Sequence, residues 1–204
     1  MANKLHKHWG NIVLLLLWGI AMGLYLYIGR AIPLEKHFFI GCPLDEMLPF
    51  LPIFVIPYVS WYFFLFYTAF HCIRKEKRIF RQFMGFTLYC YGVAISIFVL
   101  YPTAIAFRPP QLEDGLLGQI VGWIYTADNP TNVLPSLHVL LSLGIAFAMV
   151  RTRKWGGIWG KLLWWTVALL ICASTVLIKQ HSVLDILAAI PIAAVGYLLF
   201  FFRK

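Results

Sequence analysis

Acidic side chains are scarce in this chain: eight Asp and Glu stand among 204 residues, and all charged types together make up 12%. A soluble domain carries far more charge, so this balance excludes an ordinary water-soluble globular protein. Cysteine is sparse too. Cys42, Cys72, Cys90 and Cys172 share no short spacing and form no metal-ligand pair. Internal repeats and low-complexity stretches are absent, which excludes solenoid arrays and biased linkers.

Apolar length is what the chain has. Hydrophobic residues make up 61% and the mean hydropathy is +0.80. The formal charge of +9 comes from lysines and arginines in short clusters between apolar runs. That pattern belongs to membrane topology and not to a nucleic-acid-binding face, so no nucleic-acid partner is expected.

A helix needs about 20 apolar residues to cross the hydrocarbon. Six segments qualify: Asn11–Ile28, Phe50–Phe70, Phe83–Tyr101, Val133–Val150, Leu162–Ile178 and Val183–Phe202. Lys4 and Lys7 precede the first, but no small-x-small cleavage site follows before Gly29-Arg30, so it reads as a retained span. Pro52 and Pro57 predict kinking or unwinding in the first third of the second span. Pro135 falls in the expected first turn of the fourth, and Pro102 to Asn132 reads as the longest loop.

Thirteen of the 17 basic residues lie on one side of these spans: Lys4 and Lys7, Arg74 to Arg81, Arg151 to Lys161, and Arg203 with Lys204. Arg30, Lys36, Arg108 and Lys179 lie on the other. The positive-inside rule then predicts cytoplasmic termini and leaves only Cys42 outside, so no exported disulfide is available. The expected fold is an all-α integral membrane protein of the plasma membrane, one domain over residues 1–204, built as a six-helix transmembrane bundle.

Three polar clusters meet at the non-cytoplasmic face: Phe107-Arg108-Pro109, Pro135-Ser136-Leu137-His138, and Lys179-Gln180-His181 with Asp185. His181 and Asp185 are four apart, one helical face. An ionised carboxylate inside the bilayer costs roughly 2.5–3.5 kcal/mol, which asks for a partner. A histidine that donates one ring N–H to it keeps the other nitrogen as a base or nucleophile. A purely structural pair fits as well. Ser136 and the helix start beside His138 form an anion site, or simply an N-cap with an interfacial histidine. Arg108 and Lys179 flank the histidines as phosphate-binding cations or as snorkelling side chains. His6, His8, His37 and His71 have no partner motif, and Trp9, Trp61, Trp155 and Trp159 read as interface anchors. No H-x-x-x-H or Cys pair supports zinc at His138, His181 and Asp185, so no metal or other cofactor is expected.

At these residues the chain resembles the type 2 phosphatidic acid phosphatase superfamily, whose motifs are K-x6-R-P, P-S-G-H and S-R-x5-H-x3-D. They stand here as Tyr101-x6-Arg108-Pro109, Pro135-Ser136-Leu137-His138 and Ser174-Thr175-x5-His181-x3-Asp185. Tyr101, Leu137 and Thr175 depart from the pattern, and the P-S-L-H form is similar to the branch of inositol phosphorylceramide synthases. Lys179, one turn beyond Thr175, is the expected stand-in for the motif arginine. The resemblance implies His181 as nucleophile forming a phosphohistidine, Asp185 orienting it, and His138 as general acid and then base. Arg108, Lys179 and Ser136 hold the phosphate. The implied function is metal-independent hydrolysis of a lipid phosphate drawn from the bilayer. The alternatives are a lipid phosphotransferase with an alcohol acceptor and, in another class, a non-catalytic lipid-binding protein.

Overall fold

Runs of Leu, Ile, Val and Phe with few breakers leave the helix as the one spanning form that satisfies its own backbone without water. The computed structural model describes residues 2–112 and 114–202. Glu113, Arg203, Lys204 and the side chains of Lys4 and Lys7, which enter the charge reading, lie outside the described residues. Among the described residues eight α-helices follow in order: α1 (Ala2–Ala31), α2 (Pro43–Met47), α3 (Val55–Lys75), α4 (Lys77–Leu100), α5 (Leu116–Ala127), α6 (Leu137–Met149), α7 (Ile158–Leu177) and α8 (Val183–Phe200).

Among the described residues five helical segments are long and apolar enough to cross a membrane: Trp9–Ala31, Pro52–Lys75, Lys77–Leu100, Ile158–Leu177 and Val183–Phe200. The segment at Pro52 opens with a 3-10 turn, Pro52–Phe54, as its two prolines predict. The fourth expected span is shorter than its sequence suggests. Val133 to Pro135 stays outside the helix, and the 13 residues of α6 rise about 20 Å against roughly 30 Å of hydrocarbon. Eleven of the 13 are buried, among α3, α4, α7 and α8. Protein surrounds α6, so it need not match lipid thickness. The supposed loop from Pro102 to Asn132 contains α5, whose apolar face packs on the start of α3 through Val121, Ile124, Val55 and Tyr58.

Close helix approach in the core depends on glycine. A Cβ on Gly144 of α6 would stand 2.5 Å from the Phe86 ring of α4, and one on Gly196 of α8 would stand 2.8 Å from the same ring. Phe86 fills the space both glycines leave, which lets three helices close around it. On the flanks Leu16, Ile20, Phe63, Phe66, Leu169 and Leu198 are exposed, as a lipid-facing surface requires.

Bonds between distant segments define the two ends of the bundle. At one, Arg81 Nε donates to Asn11 Oδ1 (3.1 Å) and Arg153 N to Glu76 Oε1 (3.2 Å). At the other, Phe38–Phe39 (β1) pairs in parallel with Thr103–Ala104 (β2), in register Phe38 to Thr103, and Leu51 N donates to Leu177 O. The starts of α6 and α8 lie at this second end, where all three polar clusters converge.

Candidate active site

The third motif is built by a helix stop and a helix start in quick succession. After α7 ends at Leu177, Lys179 takes a left-handed conformation (φ 55°), and Gln180 N and His181 N both donate to Thr175 O, at 2.9 and 3.0 Å. This closure turns the chain back on itself within a few residues. Ser182 then caps α8, and Asp185 completes the capping box by accepting from Ser182 N at 2.9 Å. His181 stands just outside the helix, so the pair straddles the cap and does not share a helix face. The geometry still joins them. His181 Nδ1 lies 3.0 Å from Asp185 Oδ2 and 3.2 Å from Val133 O. Both neighbours are acceptors, so Nδ1 carries a proton, and in the neutral ring the lone pair belongs to Nε2. Asp185 is fully buried.

Ser136 is the N-cap of α6, its hydroxyl accepting from Val139 N at 3.4 Å, while its own N–H donates to Asp185 O at 3.4 Å. The two helix starts are therefore tied together. The next residue but one, His138, is sandwiched between Tyr58 and Trp61, each 4.3 Å away by ring centroid, and its ring lies 5.9 Å from that of His181. Trp61 is thus a wall of the site, 4% exposed, and not the interface anchor its sequence position suggests. Among the described residues nothing bonds to His138 Nε2.

Arg108 reaches the cluster through its neighbours. Its guanidinium donates to Tyr125 O (3.2 Å), Asp128 O (2.8 Å) and Gln180 Oε1, and lies over the Tyr125 ring at 4.2 Å. Burial pulls its pKa down, against the opposing pull of Tyr125 and Asp128. Nε is buried and unpaired among the described residues. Tyr101, in place of the motif lysine, is exposed and stacks on Phe38 at 4.6 Å.

Lys179 departs from its expected role. Its ammonium is buried and donates to the main-chain oxygens of Asp45 and Leu48, the latter at 2.6 Å. The turn after Leu177 aims it at the end of α2 and away from Thr175, whose hydroxyl donates to Cys172 O. Burial lowers the Lys179 pKa, and Asp45 raises it in part.

Asp45 had no motif to mark it. Its carboxylate accepts from Ser182 Oγ (2.6 Å), Val183 N (2.8 Å) and Cys42 N (2.8 Å), so α2 holds the start of α8. Burial pushes this carboxyl up, but those hydrogen bonds outweigh it and hold the pKa below the usual value. Tyr58, Asp128 and Gln180 were likewise given no role by spacing, although Gln180 adjoins His181. Among the described residues no three His, Cys, Asp or Glu side chains gather as metal ligands.

Apolar helices around a buried histidine pair and aspartate define an integral membrane protein with a polar site at one end of its bundle. Residues 50–199 match the PAP2 superfamily, and the chain belongs to it, as the three motifs led one to expect. Membership supports phosphatase-type chemistry on lipid phosphates. No curated protein and no solved structure matches the chain.

Proposed function

We propose that this protein hydrolyses a lipid phosphate through a phosphohistidine. The observation that carries the reading is the bond from His181 Nδ1 to Asp185, which leaves Nε2 as a lone pair, with the His138 ring 5.9 Å away. A single phosphoryl group can touch both rings. Nε2 attacks phosphorus and forms the P–N bond as the P–O bond to the lipid alcohol breaks. His138, protonated beside the phosphate's negative charge, gives its proton to the departing oxygen. Asp185 stabilises the charge that develops on the His181 ring. Water then gives a proton to His138 and attacks phosphorus, the P–N bond breaks, and phosphate leaves. In this reading Ser136, the N–H groups at the start of α6 and the Arg108 Nε hydrogen are the donors to the phosphate oxygens. No step calls for a metal. Lys179 enters this reading as a strut for the turn and not as a phosphate ligand.

The loop charges support a site at the non-cytoplasmic face, where headgroups meet it while tails stay in lipid. A phosphotransferase shares every step except the last, an alcohol replacing water. One test separates the outcomes: purified protein with a panel of lipid phosphates, with and without alcohol acceptors, scored for released phosphate and for transferred phosphate. The proposal expects release, abolished in His181→Ala. Transfer without release favours the alcohol acceptor, and neither product returns the chain to a lipid-binding role.

A further inference from the structure

A site that handles phosphate gains from cations and loses from nearby anions, yet a carboxylate stands in this one. Asp128, just after α5, lines a cavity of about 330 Å³ that also touches His138. The rest of the wall is largely aromatic and aliphatic, including Tyr25, Trp61, Tyr62 and Tyr91. Asp128 Oδ2 accepts from Tyr58 OH at 2.9 Å and from Gln180 Nε2 at 3.4 Å, and Tyr58 in turn stacks on His138. No described residue donates to Oδ1. Arg108 lies near enough for its charge to attract the carboxylate, but its hydrogen bond goes to the main-chain oxygen of Asp128 and leaves the carboxylate's accepting positions to other donors.

The cavity reaches His138 and not His181. In an in-line displacement the leaving oxygen departs opposite the nucleophile, so the His138 side is where the lipid's alcohol portion sits. At the small end of the usual range for ligand cavities, roughly 300–1,000 Å³, this space holds the start of one chain and leaves the remainder to the bilayer. An ionised carboxylate accepts hydrogen bonds and donates none. It therefore favours a group that presents a hydroxyl or an amine there, and disfavours one that presents only ester oxygens.

We propose that Asp128 determines specificity by binding a hydroxyl or amine on the alcohol portion of the substrate, so that the substrate class is a lipid phosphate bearing a hydrogen-bond donor close to the phosphoester. The proposal rests on the phosphoryl-transfer reading above. A diacylglycerol phosphate, with esters beside the phosphate and no donor, is then a poor substrate, and a long-chain amino-alcohol phosphate is a good one.

The test compares sphingosine 1-phosphate with octadecyl phosphate, which lacks the amine and hydroxyl, using the full-length protein in detergent micelles. A hydrogen bond to a charged group predicts a kcat/KM ratio of about ten or more in favour of the amino alcohol. In Asp128→Ala that ratio falls towards one. Both absolute rates can drop through the lost contacts to Tyr58 and Gln180, so the ratio is the readout. Product inhibition of the unmodified protein supplies a second measurement that does not depend on the variant folding: sphingosine should inhibit about ten-fold more strongly than octadecanol. A ratio near one in the unmodified protein, a ratio unchanged by the substitution, or equal inhibition by the two alcohols overturns the assignment of Asp128. Turnover of neither phosphate overturns this proposal, and it overturns the phosphoryl-transfer reading as well where the whole panel of lipid phosphates gives neither release nor transfer.

Discussion

The Ser182 hydroxyl donates to the Asp45 carboxylate at 2.6 Å, across 137 residues of sequence. With Val183 N on the other oxygen, that contact gives the start of α8 a second cap from outside its own chain segment. Asp45 lies outside the 50–199 stretch matched by the superfamily, so this support belongs to the part of the chain before it. The turn that presents His181 is thus gripped on one side by Asp45 and on the other by Lys179.

The first prediction follows from that grip. The folded carboxyl of Asp45 lies below its ordinary value of 3.8, so its contribution to stability is present above that value and is lost as pH falls through the folded one. Thermal unfolding in detergent should show Asp45→Asn less stable than the unmodified protein near neutral pH, with the gap closing below about pH 4. A gap that stays constant down to acid pH would mean the carboxylate charge is not what holds α8.

Lys179 gives a second. Losing its ammonium strands two carbonyl groups, at about 1–3 kcal/mol for a buried unsatisfied group. Its left-handed backbone costs an L-residue about 1–2 kcal/mol that glycine escapes. Unfolding temperatures should therefore run unmodified protein, then Lys179→Gly, then Lys179→Ala. If the alanine variant unfolds like the unmodified protein and only its KM for substrate rises, the side chain binds phosphate after all.

Asp185 gives a third. Asp185→Ala removes the acceptor that orients His181 Nδ1, so kcat should fall by about 10²–10⁴-fold with little change in KM. The same change removes the capping box and lowers stability by about 1 kcal/mol. A variant that loses stability but keeps kcat would make the pair purely structural.

These contrasts show what the sequence could and could not disclose. The closeness of His181 and Asp185 was legible from their spacing, although a helix cap and not a shared helix face joins them, and the hydropathy runs located five helices of spanning length among the described residues. The orientation of the Lys179 side chain was not legible, since counting four residues on from Thr175 assumes a helix that in fact stops at Leu177. The shortness of α6 was hidden as well, because burial in protein and burial in lipid leave the same apolar composition. Asp45, Tyr58, Asp128 and Gln180 act through contacts 52 to 138 residues apart, which no local pattern records.

Orientation is open to a direct check. Cys72, Cys90 and Cys172 are buried, whereas Cys42 is partly exposed at the site end. Lys154 is exposed at the opposite end. A membrane-impermeant maleimide applied to intact cells should label Cys42, and should label a Lys154→Cys protein lacking Cys42 only after permeabilisation. The reverse pattern would put the site in the cytoplasm.

The central claim is that phosphorus becomes bonded to His181. Brief incubation of the purified protein with a ³²P-labelled lipid phosphate, followed by denaturation in alkali, should leave label on the protein that is stable to base, is released by mild acid and maps to the peptide carrying His181. His138→Ala, which loses the acid of the first step and the base of the second, should gain that label slowly and, once labelled, lose it more slowly than the unmodified protein, and His181→Ala should carry none. Phosphate release by the unmodified protein with no labelled histidine under these conditions, or label that persists in His181→Ala, would contradict the account.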